Sequence, residues 1–270
     1  MSEPAPSPAA ASLWQGGRLI ARDDCDVAPA VVLAADSWLV EEGRVRGIDL
    51  HRARFLGSMP PGLVPQATRF WDAVLEALPR TGAWFPRVEL REQLGAWQLL
   101  FRPRPAPELH DSLVLATHTG RDPRTRPEVK GPDLAAMLRL RTQAQAQGAD
   151  EAVLLDADGH LVEGSTTSIV WWAGEVLCVV APALPRIPST TERTLVTLAT
   201  ALGVEVTEHR LHPDELDGCE IWALNALHGI RIVTAWHGPH VQPAELPGRL
   251  AGWRARMDAL RRPLPDAGSR

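Results

Sequence analysis

The chain of 270 residues has no tyrosine and almost no lysine: of its 28 lysine and arginine residues, only Lys130 is a lysine. The missing tyrosine excludes any mechanism that needs a phenol. Cysteine is also scarce, since Cys25, Cys178 and Cys219 are far apart and odd in number. They form neither a disulfide framework nor a paired-cysteine metal site, and they suit a reducing cytoplasm.

Long apolar runs and an excess of positive charge are missing as well. No window approaches 18 consecutive apolar residues, and residues 1–12 lack the basic start and apolar centre of a signal peptide. The formal net charge is −5, which argues against a basic nucleic-acid-binding protein. We therefore expect a small-molecule substrate and neither a nucleic-acid nor a membrane partner.

Common nucleotide, hydrolase and metal motifs are absent too. The sequence contains no GxGxxG, GxxxxGK[ST] or GxSxG pattern. His209 and His212 lie near acidic residues, but their spacing is not that of a zinc helix and the stretch is strongly polar. This pattern predicts a solvated surface, and we expect no metal.

The single lysine has two interpretations. A composition rich in Ala, Pro and Arg can drift from Lys to Arg wherever only positive charge matters, which leaves an occasional surface lysine. Arginine cannot replace a lysine that forms an imine, however, because its guanidinium does not lose a proton. Lys130 is therefore a candidate Schiff-base residue.

The pattern of apolar residues predicts an α/β (α+β) fold in two domains. We expect a disordered arm over 1–12, a small α/β domain over 13–110, a larger β-rich domain over 111–262 and a tail over 263–270. Helices are predicted over 65–78, 132–147, 189–202 and 251–261, and a strand-like stretch is predicted over 44–50.

Two further features have both a plain and a functional interpretation. Ser189 to Glu192 forms a capping box, in which the Ser189 hydroxyl accepts from the Glu192 amide while the Glu192 side chain reaches back. It either only starts a helix or also presents an anion site. Glu163 is either an exposed carboxylate at a strand end or a ligand-binding acid. Arg54 is a candidate cationic partner for a phosphate, although arginine is common in this chain. An imine-forming amine, an acid and a phosphate cup match the needs of pyridoxal 5'-phosphate.

The chain resembles the class IV pyridoxal-phosphate enzymes, which include branched-chain and D-amino-acid aminotransferases and aminodeoxychorismate lyase. The resemblance covers roughly 44–236. It is carried by the segments GIDLHRARF, VKGPDLAAMLRLRTQAQAQGADEAVLLDADGHLVEGSTTSIVWW, PSTTERTLVTLATALGVEV and EIWALNALHGIRIV. It implies the two-domain class IV fold and a homodimer.

The resemblance also implies a role for each matching residue. Lys130 occupies the position of the lysine that binds the cofactor aldehyde and moves the proton. Glu163 occupies that of the carboxylate paired with the pyridine nitrogen, and Arg54 that of the arginine on the phosphate. The phosphate turn is matched by Ser189, Thr190 and Thr191, and a second phosphate contact by the amide of Ala226.

Two departures from the family pattern concern the substrate and the phosphate site. The aminotransferase branches usually place a tyrosine shortly after the lysine, and this chain has none. The family often shows an arginine where Glu192 stands. The NALHG segment is most similar to aminodeoxychorismate lyase. The resemblance thus implies a lyase of folate biosynthesis that makes 4-aminobenzoate and pyruvate, and the scarce cysteines favour a cytoplasmic location. The alternatives are an aminotransferase for branched-chain or D-amino acids, or a binding protein without activity.

Overall fold

The computed structural model describes residues 11–22, 29–238, 240–246 and 248–265. The predicted arm before residue 11, Cys25 and the end of the predicted tail lie outside them. The described residues form five α-helices, which are α1 (Ile48–Gly57), α2 (Val64–Ala77), α3 (Leu134–Gln145), α4 (Thr190–Ala201) and α5 (Arg249–Ala259). They also form the strands β1 (Ser12–Gln15), β2 (Arg18–Ala21), β3 (Val31–Ser37), β4 (Val40–Glu41), β5 (Arg44–Val45), β6 (Ala83–Trp84), β7 (Arg87–Gln93), β8 (Ala96–Arg102), β9 (Ser112–Thr117), β10 (Glu151–Leu155), β11 (Leu161–Gly164), β12 (Ser168–Ala173), β13 (Val176–Val180), β14 (Val206–His209), β15 (Glu220–Asn225), β16 (Gly229–His237) and β17 (Arg262–Pro263).

The chain divides into two compact units. Of the described residues, the first unit contains 11–22, 29–108, 130–132 and 260–265. Its main sheet has the strand order β2-β1-β8-β7-β3, and a small sheet has the order β17-β5-β4-β6. Its core includes the fully buried side chains of Trp38, Phe55, Phe70 and Trp71, and those of Phe55, Phe70 and Trp71 come from α1 and α2.

Of the described residues, the second unit contains 109–129, 133–238, 240–246 and 248–259. Its eight-stranded sheet has the order β11-β10-β9-β16-β15-β12-β13-β14, in which β9 runs parallel to β10 and β16. One apolar cluster includes Leu115, Ile169, Ile221 and Val233. Helix α4 packs against β15 and α5 packs against β16. The mixed content of helix and sheet confirms the α/β fold class.

The units differ in detail from the predicted division of the chain. The boundary lies between Glu108 and Leu109, close to the predicted 110. Lys130 to Pro132 belong to the first unit although the flanking residues belong to the second. Ser12, placed in the arm, begins β1, and Arg262 and Pro263 form β17 at the start of the predicted tail.

The strand predicted over 44–50 is wrong beyond its first two residues. Gly47 has a left-handed φ of 61° and begins a helix at Ile48. This helix buries only His51 and Phe55, so its sequence has almost no apolar stripe to distinguish it from a strand. The result places His51 and Arg54 on a helix, one turn apart.

No helix in the described ranges is both long and apolar enough to span a membrane.

Candidate active site

The backbone of Lys130 is attached to an edge strand of the first unit. The Ala35 amide of β3 donates to the Lys130 carbonyl oxygen over 2.7 Å. The next residue, Gly131, has φ +144°, and a Cβ there would lie 2.7 Å from the Ala34 Cα. Only glycine allows this approach, so β3 fixes the main chain at Lys130.

A buried carboxylate on the same strand holds Arg54. The Asp36 side chain is fully buried and accepts from Arg54 Nε and Nη2, both over 2.8 Å. His51 Nδ1 lies 2.8 Å from the same carboxylate, and the Ser37 amide donates to it over 2.7 Å. Bidentate pairing fixes a guanidinium plane more strongly than a single contact does. The structure therefore brings Lys130 and Arg54 to adjacent residues of β3.

The charges of this group follow from burial and from its partners. Burial raises the pKa of Asp36, but the charges of Arg54 and His51 outweigh it, so that the pKa is lowered well below its usual range. Burial lowers the pKa of His51 more than Asp36 raises it, and the charges of Arg54 and Lys130 lower it further. The group is therefore an anionic Asp36, a cationic Arg54 and a neutral His51 near neutral pH.

Glu163 lies in the second unit, buried on β11 rather than at an exposed strand end. Arg124, whose side chain is 2% exposed, donates to Glu163 and also pairs with Asp122 over 2.7 Å. Burial lowers the pKa of Arg124, but hydrogen bonding to Asp122 and the charge of Glu163 outweigh it, so that the pKa is raised. Arg124 thus stays charged and favours the carboxylate form of Glu163.

Two other carboxylates fix the loops around this pair. Asp133 accepts from the amides of Thr125 and Arg126 over 3.0 and 2.9 Å. Glu151 is fully buried and accepts from the hydroxyl of Ser165 and, over 2.9 Å, from the amide of Thr166. These contacts hold the chain just after Arg124 and just after Glu163.

The predicted capping box of α4 is half correct. The Ser189 hydroxyl accepts from the Glu192 amide over 3.2 Å, as expected. The Glu192 carboxylate does not turn back into the cap but forms two 2.8 Å hydrogen bonds with Arg186. A buried guanidinium six residues earlier competes better for a carboxylate than a backbone amide does. The negative charge of Glu192 is thereby neutralised beside the phosphate turn predicted at Ser189, Thr190 and Thr191.

The second unit brings Glu163 close to the segment that leads into α4. The Ile187 amide donates to Glu163 over 3.3 Å, and Arg124 donates to the Pro185 carbonyl over 3.2 Å. Ala226 lies in the turn after β15, the strand against which α4 packs. The Asn225 side chain closes this turn by accepting from the amide of His228 over 2.8 Å.

Sequence reasoning missed the three residues that hold the predicted ones: Asp36, Arg124 and Arg186. A lone carboxylate in the apolar run VVLAADSW could have indicated Asp36. Nothing in the sequence separates Arg124 and Arg186 from the other arginines.

One group with metal-ligating atoms is present in the described part of the chain, formed by Asp156, Asp158 and His160. Arg210 donates to Asp156 over 2.9 Å and to Asp158 over 2.7 Å. A guanidinium therefore already supplies the positive charge at this group, and the cluster is explained as an ion pair at the surface.

Comparison of the sequence with protein-family models shows which family contains this chain. The model of the family described as "Amino-transferase class IV" matches residues 33–236, about three quarters of the chain. The chain belongs to the class IV aminotransferase family. Enzymes of this family depend on pyridoxal phosphate, so this class IV protein is an enzyme, and the alternative of a binding protein without activity is not retained.

Individual relatives are similar to this class IV chain over different lengths. A probable branched-chain-amino-acid aminotransferase from Rickettsia felis is 34% identical over 83 residues, which cover 29% of this chain and 28% of that protein. The branched-chain aminotransferase of Escherichia coli superposes with a TM-score of 0.77 at 14% identity, covering 94% of this chain and 95% of that one. A putative 4-amino-4-deoxychorismate lyase from Legionella pneumophila superposes with a TM-score of 0.67 at 16% identity, covering 86% and 92%. At these identities the superpositions establish the fold alone.

The side chains of this class IV enzyme fit pyridoxal phosphate chemically. Arg124 donates to Glu163, and its positive charge favours the carboxylate form, which is the partner that a protonated pyridine nitrogen needs. Arg54, fixed by Asp36, and the N-terminus of α4 are both suited to a phosphate. Lys130 and Arg54 belong to the first unit, and Glu163 and α4 belong to the second.

Proposed function

We propose that this enzyme is a lyase that converts 4-amino-4-deoxychorismate into 4-aminobenzoate and pyruvate. The observation that carries the catalytic assignment is the position of the chain's one lysine, which is fixed to β3 next to the Asp36–Arg54 pair. The choice of a lyase is supported by the absence of tyrosine and by the NALHG segment at the turn of Ala226.

Each named residue then has a role in the reaction. Bound pyridoxal phosphate supplies an aldehyde and a ring that accepts electrons. Lys130 would hold the cofactor through its aldehyde and would take the proton from the ring carbon next to the substrate nitrogen. Glu163 keeps the pyridine nitrogen protonated. Arg54, the residues Ser189 to Thr191 and the Ala226 amide hold the phosphate.

The overall lyase reaction balances without an oxidant or a second substrate. The substrate ring loses one proton to Lys130, and the C–O bond of the pyruvyl ether breaks with its electron pair on oxygen. The departing enol takes up a proton and becomes pyruvate, and the ring becomes aromatic. A transaminase, by contrast, must also bind a keto acid and return an amino group.

The decisive experiment uses the purified enzyme with 4-amino-4-deoxychorismate as the only substrate. We expect fluorescent 4-aminobenzoate and pyruvate in equal amounts, and a visible absorption that borohydride bleaches. Lys130→Arg keeps the charge but should lose both the absorption and all turnover. An active Lys130→Arg variant would overturn the assignment of Lys130.

A class IV aminotransferase is the second candidate, because the segment shared with the Rickettsia felis protein is 34% identical. If the enzyme is an aminotransferase, a branched-chain amino acid or D-alanine should rapidly convert the cofactor to its amine form. That conversion, without 4-aminobenzoate from the other substrate, would reverse the ranking.

Assembly and location complete the proposal. We expect a homodimer in the reducing cytoplasm that acts in folate biosynthesis, consistent with the free thiols of Cys178 and Cys219. Sedimentation of the enzyme as a monomer at micromolar concentration would contradict the dimer.

A further inference from the structure

The last described residues of the chain add an edge strand to the small sheet of the first unit. Residues 260–265 belong to that unit, although the helix before them, α5, belongs to the second. We call these residues the C-terminal strap. Within the strap, β17 pairs antiparallel with β5, with Arg262 opposite Val45. The strap therefore covers an edge of β5 whose backbone groups would otherwise lack a neighbouring strand.

Hydrogen bonds and an ion pair extend the contact on both sides of β17. The Leu264 amide donates to the Gly43 carbonyl oxygen over 2.8 Å, and the Leu264 side chain is buried. Arg261 forms an ion pair with Glu41 of β4, and Arg44 Nη2 donates to the Arg261 carbonyl oxygen over 2.9 Å. The strap thus contacts both strands of the β4–β5 hairpin and the turn between them.

The turn between β4 and β5 is also held by Arg80. Glu42 and Gly43 both have positive φ, 46° and 66°, as tight turns between antiparallel strands require. A Cβ on Gly43 would lie 2.9 Å from the Arg80 carbonyl oxygen, and Arg80 Nη2 donates to the Pro265 carbonyl oxygen over 3.0 Å. Arg80 therefore packs against the turn and also binds the end of the strap.

The hairpin leads directly into the helix that carries Arg54. Gly47 has a left-handed φ of 61°, and its carbonyl oxygen accepts from the amides of Leu50 and His51 at the start of α1. Arg54 follows one turn later and pairs with Asp36. Only two residues separate β5 from α1, so a displacement of β5 must also move the first turn of α1.

We propose that the C-terminal strap is a positioning element for the cofactor phosphate. By covering the edge of β5 it fixes the start of α1 and, through α1, the guanidinium of Arg54. The inference rests on Arg54 as a phosphate-binding residue of the proposed function. An arginine that is already held in one orientation loses less conformational freedom when it binds a phosphate. Loosening the strap should therefore weaken binding of the phosphate group and not of the pyridine ring.

The test removes one strap contact at a time in the full-length enzyme. Leu264→Pro deletes the amide that donates to Gly43, and Arg261→Gln deletes the ion pair with Glu41. Hydrogen exchange measures the opening of the backbone over 40–46, and fluorescence titration measures the affinities for pyridoxal phosphate and for pyridoxal. In each variant we expect exchange over 40–46 at least about tenfold faster, and a preference for pyridoxal phosphate over pyridoxal that is about fivefold smaller.

Two further variants separate the possible results. Arg256→Gln changes an exposed arginine of α5 and should leave the exchange and the preference unchanged. Arg54→Gln should lose the preference without faster exchange over 40–46. If Arg54→Gln keeps the wild-type preference, the proposed phosphate role of Arg54 is wrong, and the inference is wrong with it.

The inference alone is overturned if Arg54→Gln loses the preference but the strap variants keep it. It is also overturned if the strap variants lose affinity for both compounds equally, since the strap would then only stabilise the sheet, or if their exchange over 40–46 stays at the wild-type rate. If Leu264→Pro does not fold by circular dichroism, Arg261→Gln alone decides between these outcomes.

Discussion

Asp36 and Arg54 form a pair in which a fully buried carboxylate orients a partly exposed cation. An oriented guanidinium acts on a phosphate without first losing rotational freedom, so its contribution to binding depends on Asp36. Asp36 thus serves as a positioning residue for Arg54.

Asp36→Asn should weaken binding of pyridoxal phosphate by about tenfold while changing the affinity for pyridoxal by less than about threefold. The amide cannot accept from both Nε and Nη2 of Arg54 as the carboxylate does, so the guanidinium is no longer held in one orientation. Pyridoxal has no phosphate for Arg54 to bind, so its affinity should hardly change. Fluorescence titration with both compounds measures the ratio. Asp49→Asn, an exposed change on α1, the helix that carries Arg54, is the control. Equal loss for both compounds would show that Asp36 only stabilises the fold.

Glu163→Gln should lower kcat by about 100-fold with little change in KM, because an amide cannot keep the pyridine nitrogen protonated. Arg124 retains Asp122 as a partner in this variant, so the loop should stay in place. Steady-state kinetics on the purified variant measure both constants. Glu175→Gln, which changes a glutamate 93% exposed, provides the control, and wild-type rates in Glu163→Gln would make Glu163 a purely structural residue.

Single residues could be proposed from the sequence where their chemistry is unusual. Lys130 stands out because arginine cannot form an imine, and Glu163 because a small-residue run follows it. Asp36 and Arg124 act only through other side chains, and such contacts depend on the fold rather than on spacing along the chain.

At the scale of elements, predictability followed the strength of the local signal. The start of α4 was correct because Ser189 caps it. The apolar residues of α3 do not all face the core, since Leu138 is 60% exposed whereas Met137, Leu140 and Ala144 are buried. Neighbouring apolar residues fit two helix faces equally well, and only the packing against β10 selects one.

The Arg186–Glu192 pair should stabilise the start of α4 as a unit. Both side chains are largely buried, so Glu192→Gln or Arg186→Met alone should lower the free energy of unfolding by roughly 3 kcal/mol, since each leaves a buried charge unpaired. The double variant should lose clearly less than the sum of the two. Urea unfolding of all four proteins measures this coupling, and additive losses would mean that the pair does not interact.

For the whole molecule, the sequence indicated two units. It did not indicate that residues 130–132 belong to the first unit while their neighbours on both sides belong to the second. This placement depends on the close fit of Gly131 against Ala34 and on the hydrogen bond from the Ala35 amide. Both are contacts between segments about a hundred residues apart in sequence, which no local pattern records.

Acid stability of the molecule should depend on His228. Burial lowers the pKa of His228 to about 3, and the charges of Arg231 and His110 add to this. Its Nδ1 accepts from the His110 amide over 3.1 Å, which requires the neutral ring.

Because the unfolded chain binds this proton near pH 6.5 and the native chain only near pH 3, the free energy of unfolding should fall as the pH drops between these values. His228→Asn removes the titrating group and keeps a side-chain acceptor, so it should lose less stability than the wild type between pH 6.5 and 4. Urea unfolding at half-unit steps of pH measures the two slopes. His237→Asn, at an exposed position, should keep the wild-type slope. Parallel slopes for wild type and His228→Asn would mean that His228 takes up its proton equally in both states, and that the carboxylates alone set the acid limit.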